Sequence, residues 1–310
     1  MKMRLFELVG GAIALLAVPT AFDIARTPAH RAAEAPLPFV QTVMLPAGQV
    51  TWPAPGEFLV GGRPAAAPRA EVTFRQPLEI MAYQVGAADY LRCVGEGACR
   101  ALDARVEPAP DLPVTGVSHD DAVAYANWYS RRTGESWRLP TDAEWAYAAG
   151  ERFGGETSAE ADDPANPAIA WIRRYREEAA LRRAPDPAPK PAGHFGANAA
   201  GLYDIAGNVW EWTSTCYVRT TFAKDRKTVE STIENCGVHV VEGRHRTYMS
   251  NFVRDAVSGG CAVGTPPDNL GFRLVREPRP LLSLAGLRRL VEDARTGLGR
   301  LVEAKGRSLS

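Results

Sequence analysis

Charge of either sign is not in excess in this chain: 36 Lys and Arg stand against 36 Asp and Glu. A binder of nucleic acid or of an acidic polymer concentrates basic charge, so the balance argues against both. Aromatic residues are also scarce, at 8%, whereas 24 Pro and 28 Gly together make up a sixth of the 310 residues. That composition excludes a helical bundle and points to a loop-rich fold. Walker-type loops, GxGxxG fingerprints and HExxH helices are missing, and no segment repeats. Nucleotide cradles and zincin-type metal helices are thereby excluded.

What the chain does have begins at its N-terminus. Met1-Lys2-Met3-Arg4 leads into an apolar run of about fifteen residues from Leu8 to Phe22, the layout of a signal peptide. Residues 1–25 are accordingly either a signal peptide or an uncleaved anchor in the inner membrane. Residues 26–40, with Pro28, Pro36 and Pro38 among alanines, form a linker. The bulk of the chain is then periplasmic or otherwise exported. Five cysteines agree, because disulfides persist outside the cytosol. Cys93 and Cys99 are spaced to close a small loop. Cys216 and Cys236 are candidates for a second bridge, although Cys261 could pair with either of them instead.

One large domain over residues 41–277 suits this length. Val43 to Gly48 reads as a first strand and turn, and Glu71–Phe74 with Leu78–Ile80 alternates as strands do. The Pro- and Ala-rich stretch between them reads as a loop. Two helices carry start signals. Ser118 is an N-cap with Asp121 three residues on, and Gly134 is the stop; His119 reads as a surface residue at that helix start. Thr141-Asp142-Ala143-Glu144 is a capping box that opens the second helix. Residues 150–197 read as a surface insertion with a helical piece around 168–183. Residues 278–310 read as an amphipathic basic helix, either packed on its own domain, lying on a membrane surface, or binding a partner.

Three blocks stand out. Gly201-Leu-Tyr-Asp-Ile-Ala-Gly-Asn-Val-Trp-Glu-Trp-Thr-Ser214 combines turn glycines, two indoles and three oxygen-bearing side chains. Trp137-Arg-Leu-Pro-Thr-Asp-Ala-Glu-Trp145 precedes it and Asn269-Leu-Gly-Phe-Arg273 follows it. In this order the blocks resemble the formylglycine-generating enzyme family, also called the sulfatase-modifying factor domain, from about Val43 to Val275. The resemblance implies an α+β fold, the family's variant of the C-type lectin-like fold, with small antiparallel sheets and two main helices. It also implies a structural calcium held by Asn198, Asp204, Asn208 and Glu211. The alternative is that Asp204 and Asn208 satisfy turn amides and Glu211 pairs with Arg138 or Arg273. Trp210 and Trp212 are core residues under both readings.

The family's oxidase activity converts a cysteine to formylglycine with copper and oxygen, using two cysteines after a Gly-Gly-Ser-aromatic strand. Here Ser250 and Asp255 stand at those two positions, and His245-Arg246-Thr247 replaces Gly-Gly-Ser. Hydroxyl and carboxylate do not suit cuprous copper, which takes soft sulfur ligands. A displaced site built from Cys216, Cys236, Cys261 and His239 is the alternative. The superfamily's sulfoxide synthases need a separate iron domain rich in histidine, which five scattered histidines do not supply. Tyr248, Asn251, Arg254 and Arg273 are expected to line a groove. The favoured reading is an exported accessory or binding protein, acting on another exported protein of the nitrite-reductase type. A displaced-site oxidase and a lectin-like module are the alternatives.

Overall fold

A computed structural model describes residues 40–103, 109–154, 188–254 and 269–278. The signal or anchor segment, the linker up to residue 39, most of the 150–197 insertion, Asp255, Cys261 and the C-terminal helix beyond residue 278 lie outside the described residues. Within them the fold is mixed α+β, with three α-helices set among mostly short strands and one long hairpin.

A four-stranded sheet forms one wall. Its strands β1 (Thr42–Leu45), β6 (Leu78–Met81), β12 (Val275–Arg276) and β7 (Trp137–Arg138) lie in that spatial order, each antiparallel to its neighbour. Ile80 and Val275 pair at its centre and are both fully buried. A second sheet has the order β10 (Thr247–Ser250), β9 (Val229–Glu242), β8 (Trp210–Phe222), β3 (Glu57–Val60) and β4 (Arg63–Ala65), with β11 (Leu270–Gly271) parallel to β8. A two-stranded ribbon joins β2 (Gly48–Pro53) to β5 (Arg69–Phe74).

The stretch read as a Pro- and Ala-rich loop is thus largely extended: it carries β2, β3 and β4. Its prolines sit where a ladder tolerates a missing N–H, with Pro53 closing β2 and Pro64 on the edge strand β4. Partners distant in the chain, Phe74 for Gly48 and Arg219 for Glu57, make these segments strands.

Helix α2 (His119–Thr133) begins at Ser118 with both hydrogen bonds of a capping box and ends at Gly134, whose φ of 70° is the left-handed conformation glycine adopts freely. Helix α3 (Asp142–Ala149) carries the second box, between Thr141 and Glu144. Trp145 of α3 is fully buried against Leu45, Leu78, Ile80, Leu202, Ile205 and Val275, which ties α3 to the first sheet. On the other flank, rings of Tyr90 from α1 (Ala87–Gly95), Tyr125, Trp128, Tyr129, Trp137 and Phe272 pack in sequence at 5.2–6.2 Å between centroids. No helix among the described residues is long and apolar enough to cross a membrane.

Candidate functional site

The Gly201–Asn208 loop turns tightly because three alternate residues, Asp204, Ala206 and Asn208, take positive φ near 60°. Asp and Asn tolerate that conformation through local hydrogen bonds, whereas Ala206 adopts it under strain. The Asp204 carboxylate accepts from the N–H groups of Gly193 and Phe195, and Asn208 exchanges two hydrogen bonds with the Lys190 backbone. Asn198 bonds the Ala148 and Ala149 carbonyls and the Ala200 and Leu202 amides. Protein donors therefore engage the oxygens of all three side chains.

Glu211 lies inside the core at 0% exposure and forms a two-pronged ion pair with Arg273, also at 0%, at 2.7 and 2.8 Å. The remaining Arg273 N–H groups reach the carbonyls of Met81, Ala82 and Tyr203. Trp145 Nε1 and Gln84 Nε2 donate to the two Glu211 oxygens. Gln84 Nε2 also faces the carbonyls of Asp204, Gly207 and Val209 at 3.2–3.5 Å, so one NH2 group serves four acceptors. N–H donors thus meet the oxygens of all four side chains, and the Arg273 guanidinium supplies the positive charge that Glu211 needs, with the neutral Gln84 and Trp145 N–H groups beside it. Arg273 is no groove residue but the partner of Glu211 in the core.

The replacement of Gly-Gly-Ser by His245-Arg246-Thr247 has a structural account. Arg246 is almost buried and reaches Glu242 at 2.7 Å, Asp142 at 3.0 Å and the Pro53 carbonyl at 2.8 Å. Trp52 Nε1 donates to the same Asp142 at 2.7 Å. Burial, reinforced by the adjacent Asp142, pushes the Glu242 carboxyl well above the usual range against the pull of Arg246. Asp142 thus joins the start of α3 to β2 and β9, a role its capping-box motif does not announce.

The second constellation lies where β8, β9 and the residues after β10 meet. Cys216 and Cys236 form a disulfide, as do Cys93 and Cys99. His239 stands opposite Cys216 across the ladder. Its Nε2 is 3.8 Å from Cys216 Sγ and its Nδ1 is 2.6 Å from Asn251 Oδ1. The His119 ring stacks on His239 with centroids 3.7 Å apart, and Trp212 meets His119 edge-on. His119 is therefore not a surface residue: it is 7% exposed, with the Asp120 carboxylate 3.8 Å from Nδ1. Burial, and then the neighbouring His239, lower its pKa to about 4. The stack was hidden from the sequence because 120 residues separate the two histidines.

Of the expected groove residues, Asn251 belongs to this constellation and Arg254 borders it. Arg254 donates to Asp121 at 2.6 Å and to the Ala101 carbonyl. Burial works to raise the Asp121 carboxyl, and Arg254 with the Ser118 cap outweighs it and holds the group below its usual range. Tyr248 turns away to Gly56, accepting from its N–H at 2.6 Å; burial pushes the phenol up to about 12. Ser250 ends β10, paired with Val238. All four cysteines among the described residues are in disulfides, so no thiolate is present there to hold cuprous copper. Elsewhere a cavity of about 320 Å³ is lined by Met81, Tyr83, Gln84, Asp89 and Tyr125; burial raises the Asp89 carboxyl.

Known proteins share this framework. The formylglycine-generating enzyme of Mycobacterium tuberculosis is 35% identical over 192 residues, covering 54% of this chain and 58% of that protein. A mouse protein named inactive Cα-formylglycine-generating enzyme 2 is 34% identical over 113 residues, or 34% and 33% of the two chains. Hercynine oxygenase of Mycolicibacterium thermoresistibile is 36% identical over 115 residues, 34% and 21% of the two. The chain spans little more than half the length of the first of these relatives and less of the others. The sulfatase-modifying factor enzyme 1-like domain matches residues 29–278, and by that match the chain belongs to the sulfatase-modifying factor family.

Proposed function

We propose that this chain is an exported accessory protein that keeps the family's scaffold without its cysteine-to-formylglycine chemistry, and that it serves another exported protein, a respiratory oxidoreductase of the nitrite-reductase type. Ser250 carries this reading. It ends β10 at the position where the family's cysteine pair would begin, and a serine hydroxyl is a hard donor that cuprous copper does not favour. Arg246 supports it from the preceding strand entry. A guanidinium bound by Asp142 and Glu242 replaces the small residues of that strand, and its charge is committed to structure. A scaffold relieved of its oxidase ligands is suited to binding and positioning a partner.

The test joins an activity assay to a partner assay. The purified full chain is incubated with copper(I), oxygen and a cysteine-bearing sulfatase-type peptide, and the peptide's mass is followed. No conversion of cysteine to formylglycine is expected, and conversion with copper bound at one ion per chain overturns the reading. In parallel, tagged chain is purified from the periplasmic fraction of its own cells. Stoichiometric recovery of an oxidoreductase, whose cofactor occupancy falls when this chain is deleted, is the expected result.

A further inference from the structure

The two disulfides sit in opposite surroundings. Cys93 and Cys99 are sealed at the end of α1, at 0% and 9% exposure. The Cys216–Cys236 bridge joins neighbouring strands at an irregularity in the ladder: Cys216 pairs with His239 and Tyr217 already with Asn235, so residues 236–238 bulge from β9. Bulges re-aim side chains, and this one leaves Cys236 exposed while Cys216 stays half-buried under His239. A nucleophile from solvent meets Cys236 first.

The groups behind Cys216 are ordered as a nucleophile, a base and a group that orients the base. The Asn251 amide is fixed by its nitrogen, which donates to the Cys236 carbonyl at 2.9 Å, and by its own backbone N–H, which bonds the Gly237 carbonyl. Its oxygen therefore faces His239 Nδ1 as an acceptor, which places the imidazole proton on Nδ1 and the Nε2 lone pair toward Cys216 Sγ. This is the logic of an activated thiol, with the sulfur held in a disulfide.

We propose that Cys216–Cys236 is a redox-active disulfide that exchanges with the thiol of a cysteine-bearing peptide, with Cys216 leaving as a thiolate positioned by His239 and Asn251. In the first step a peptide thiolate attacks Cys236 Sγ; a peptide–Cys236 disulfide forms, the Cys216–Cys236 bond breaks, and its electron pair leaves on Cys216. The Cys216 thiolate is paired with the His239 ring once that ring holds a proton on Nε2, taken from solvent or from the incoming thiol. A second peptide thiolate attacks the mixed disulfide at the peptide's sulfur. It releases a peptide disulfide and leaves Cys236 as a thiolate that takes up a proton. Two thiols are oxidised and one protein disulfide is reduced, so the electrons balance without a further oxidant.

The charged and apolar groups around the bridge among the described residues bear on the partner's chemistry. The Glu234 carboxylate lies within 4.8 Å of both sulfurs and opposes an anionic attacker and the departing Cys216 thiolate alike, so a lowered Cys216 titration requires His239 to outweigh it. His119, stacked on His239 and kept neutral by burial, adds no charge at neutral pH. Phe252, beside Asn251 in the chain, is 77% exposed, and Ile233 is 60% exposed. The fitting partner is thus a cysteine flanked by basic and apolar residues. The proposal is independent of the accessory reading, because exchange requires no oxidoreductase partner.

The experiment uses the full oxidised chain after alkylation of free thiol. Synthetic peptides with one cysteine flanked by lysines or by glutamates are added, the reaction is quenched with acid, and the linkages are mapped by mass spectrometry. Opening of Cys216–Cys236 is expected at least ~10-fold faster than that of Cys93–Cys99, with the mixed disulfide on Cys236 and the lysine peptide ahead. In the reduced chain, Cys216 alkylation should follow a pH profile centred below the ordinary thiol value of ~8.5, and His239→Gln and Asn251→Leu should move it upward. Asn251→Asp, which keeps the acceptor, should restore it. Equal opening of the two disulfides, a mixed disulfide on Cys216, or a wild-type profile at the ordinary thiol value overturns the proposal, and the wild-type readings hold even where a variant fails to fold. Equal rates for the two peptides overturn the role of Glu234.

Discussion

Arg273 shows what one side chain carries in this molecule. Its five N–H groups have five acceptors, two of them on Glu211, and neither residue touches solvent. Removing one partner of a buried pair leaves the other charge unmatched, which costs far more than the net contribution of the intact pair. Arg273→Leu is expected to destabilise the fold by about 3–5 kcal/mol, read as a lowered urea midpoint. The value of Arg273 in the motif Asn-Leu-Gly-Phe-Arg is legible as importance, but its partner is not: Arg138 looked equally suited to Glu211, yet it is engaged by Glu144 and Glu277.

His119 makes the stability of the fold depend on pH. Its pKa falls from 6.5 unfolded to about 4 folded, so the unfolded chain binds the proton first as pH drops. Stability from this group is complete above pH ~6.5 and is lost on acidification toward pH ~4, by roughly 3 kcal/mol. Urea melts at pH 7.5 and pH 4 should show this fall in the native chain, and His119→Phe should lack that share of it. An unchanged pH dependence in the variant would show that other groups carry the acid sensitivity.

Among the elements, those with local signals were the legible ones. Both capping boxes, at Ser118 and Thr141, are written within four residues, and the structure holds all four of their hydrogen bonds. Thr141→Ala removes the hydroxyl that accepts from the Glu144 N–H, while Glu144 keeps Arg138; a loss of about 1 kcal/mol is expected on chemical denaturation. Strands β2 to β4 and the long β8–β9 hairpin were illegible for the opposite reason. Their alternation is interrupted by proline, glycine and charged residues, and their pairing depends on partners far along the chain. The bulge at 236–238 depends on register and is visible only once the hairpin closes. The same distinction separates the Cys93–Cys99 loop, readable from spacing, from the Cys–His–Asn arrangement around Cys216.

At the scale of the whole molecule, the family and fold followed from three sequence blocks because each is a piece of packing. Trp145 and Trp212 fill the core, Gly271 lets β11 approach, and Arg273 neutralises Glu211. The proposed calcium and copper ligands were less legible, because a ligand set depends on which oxygens and sulfurs remain unoccupied after folding. Glu211 illustrates this: its two oxygens are filled from Gln84, Trp145 and Arg273, three segments that meet only in the finished structure.

The strand order β1-β6-β12-β7 places the last described strand inside the first sheet, between two strands that precede it by more than a hundred residues. Until residues 270–276 arrive, β6 and β7 have no common neighbour, Glu211 has no countercharge, and the edge of β6 stays open. The first sheet therefore closes late in folding, only when residues 270–276 are in place between β6 and β7. A chain stopped after Asn269 is expected to lack a cooperative thermal transition by circular dichroism, and one stopped after Pro278 to retain it. Without those residues β6 presents an unpaired strand edge, the surface that chaperones bind and that aggregation exploits.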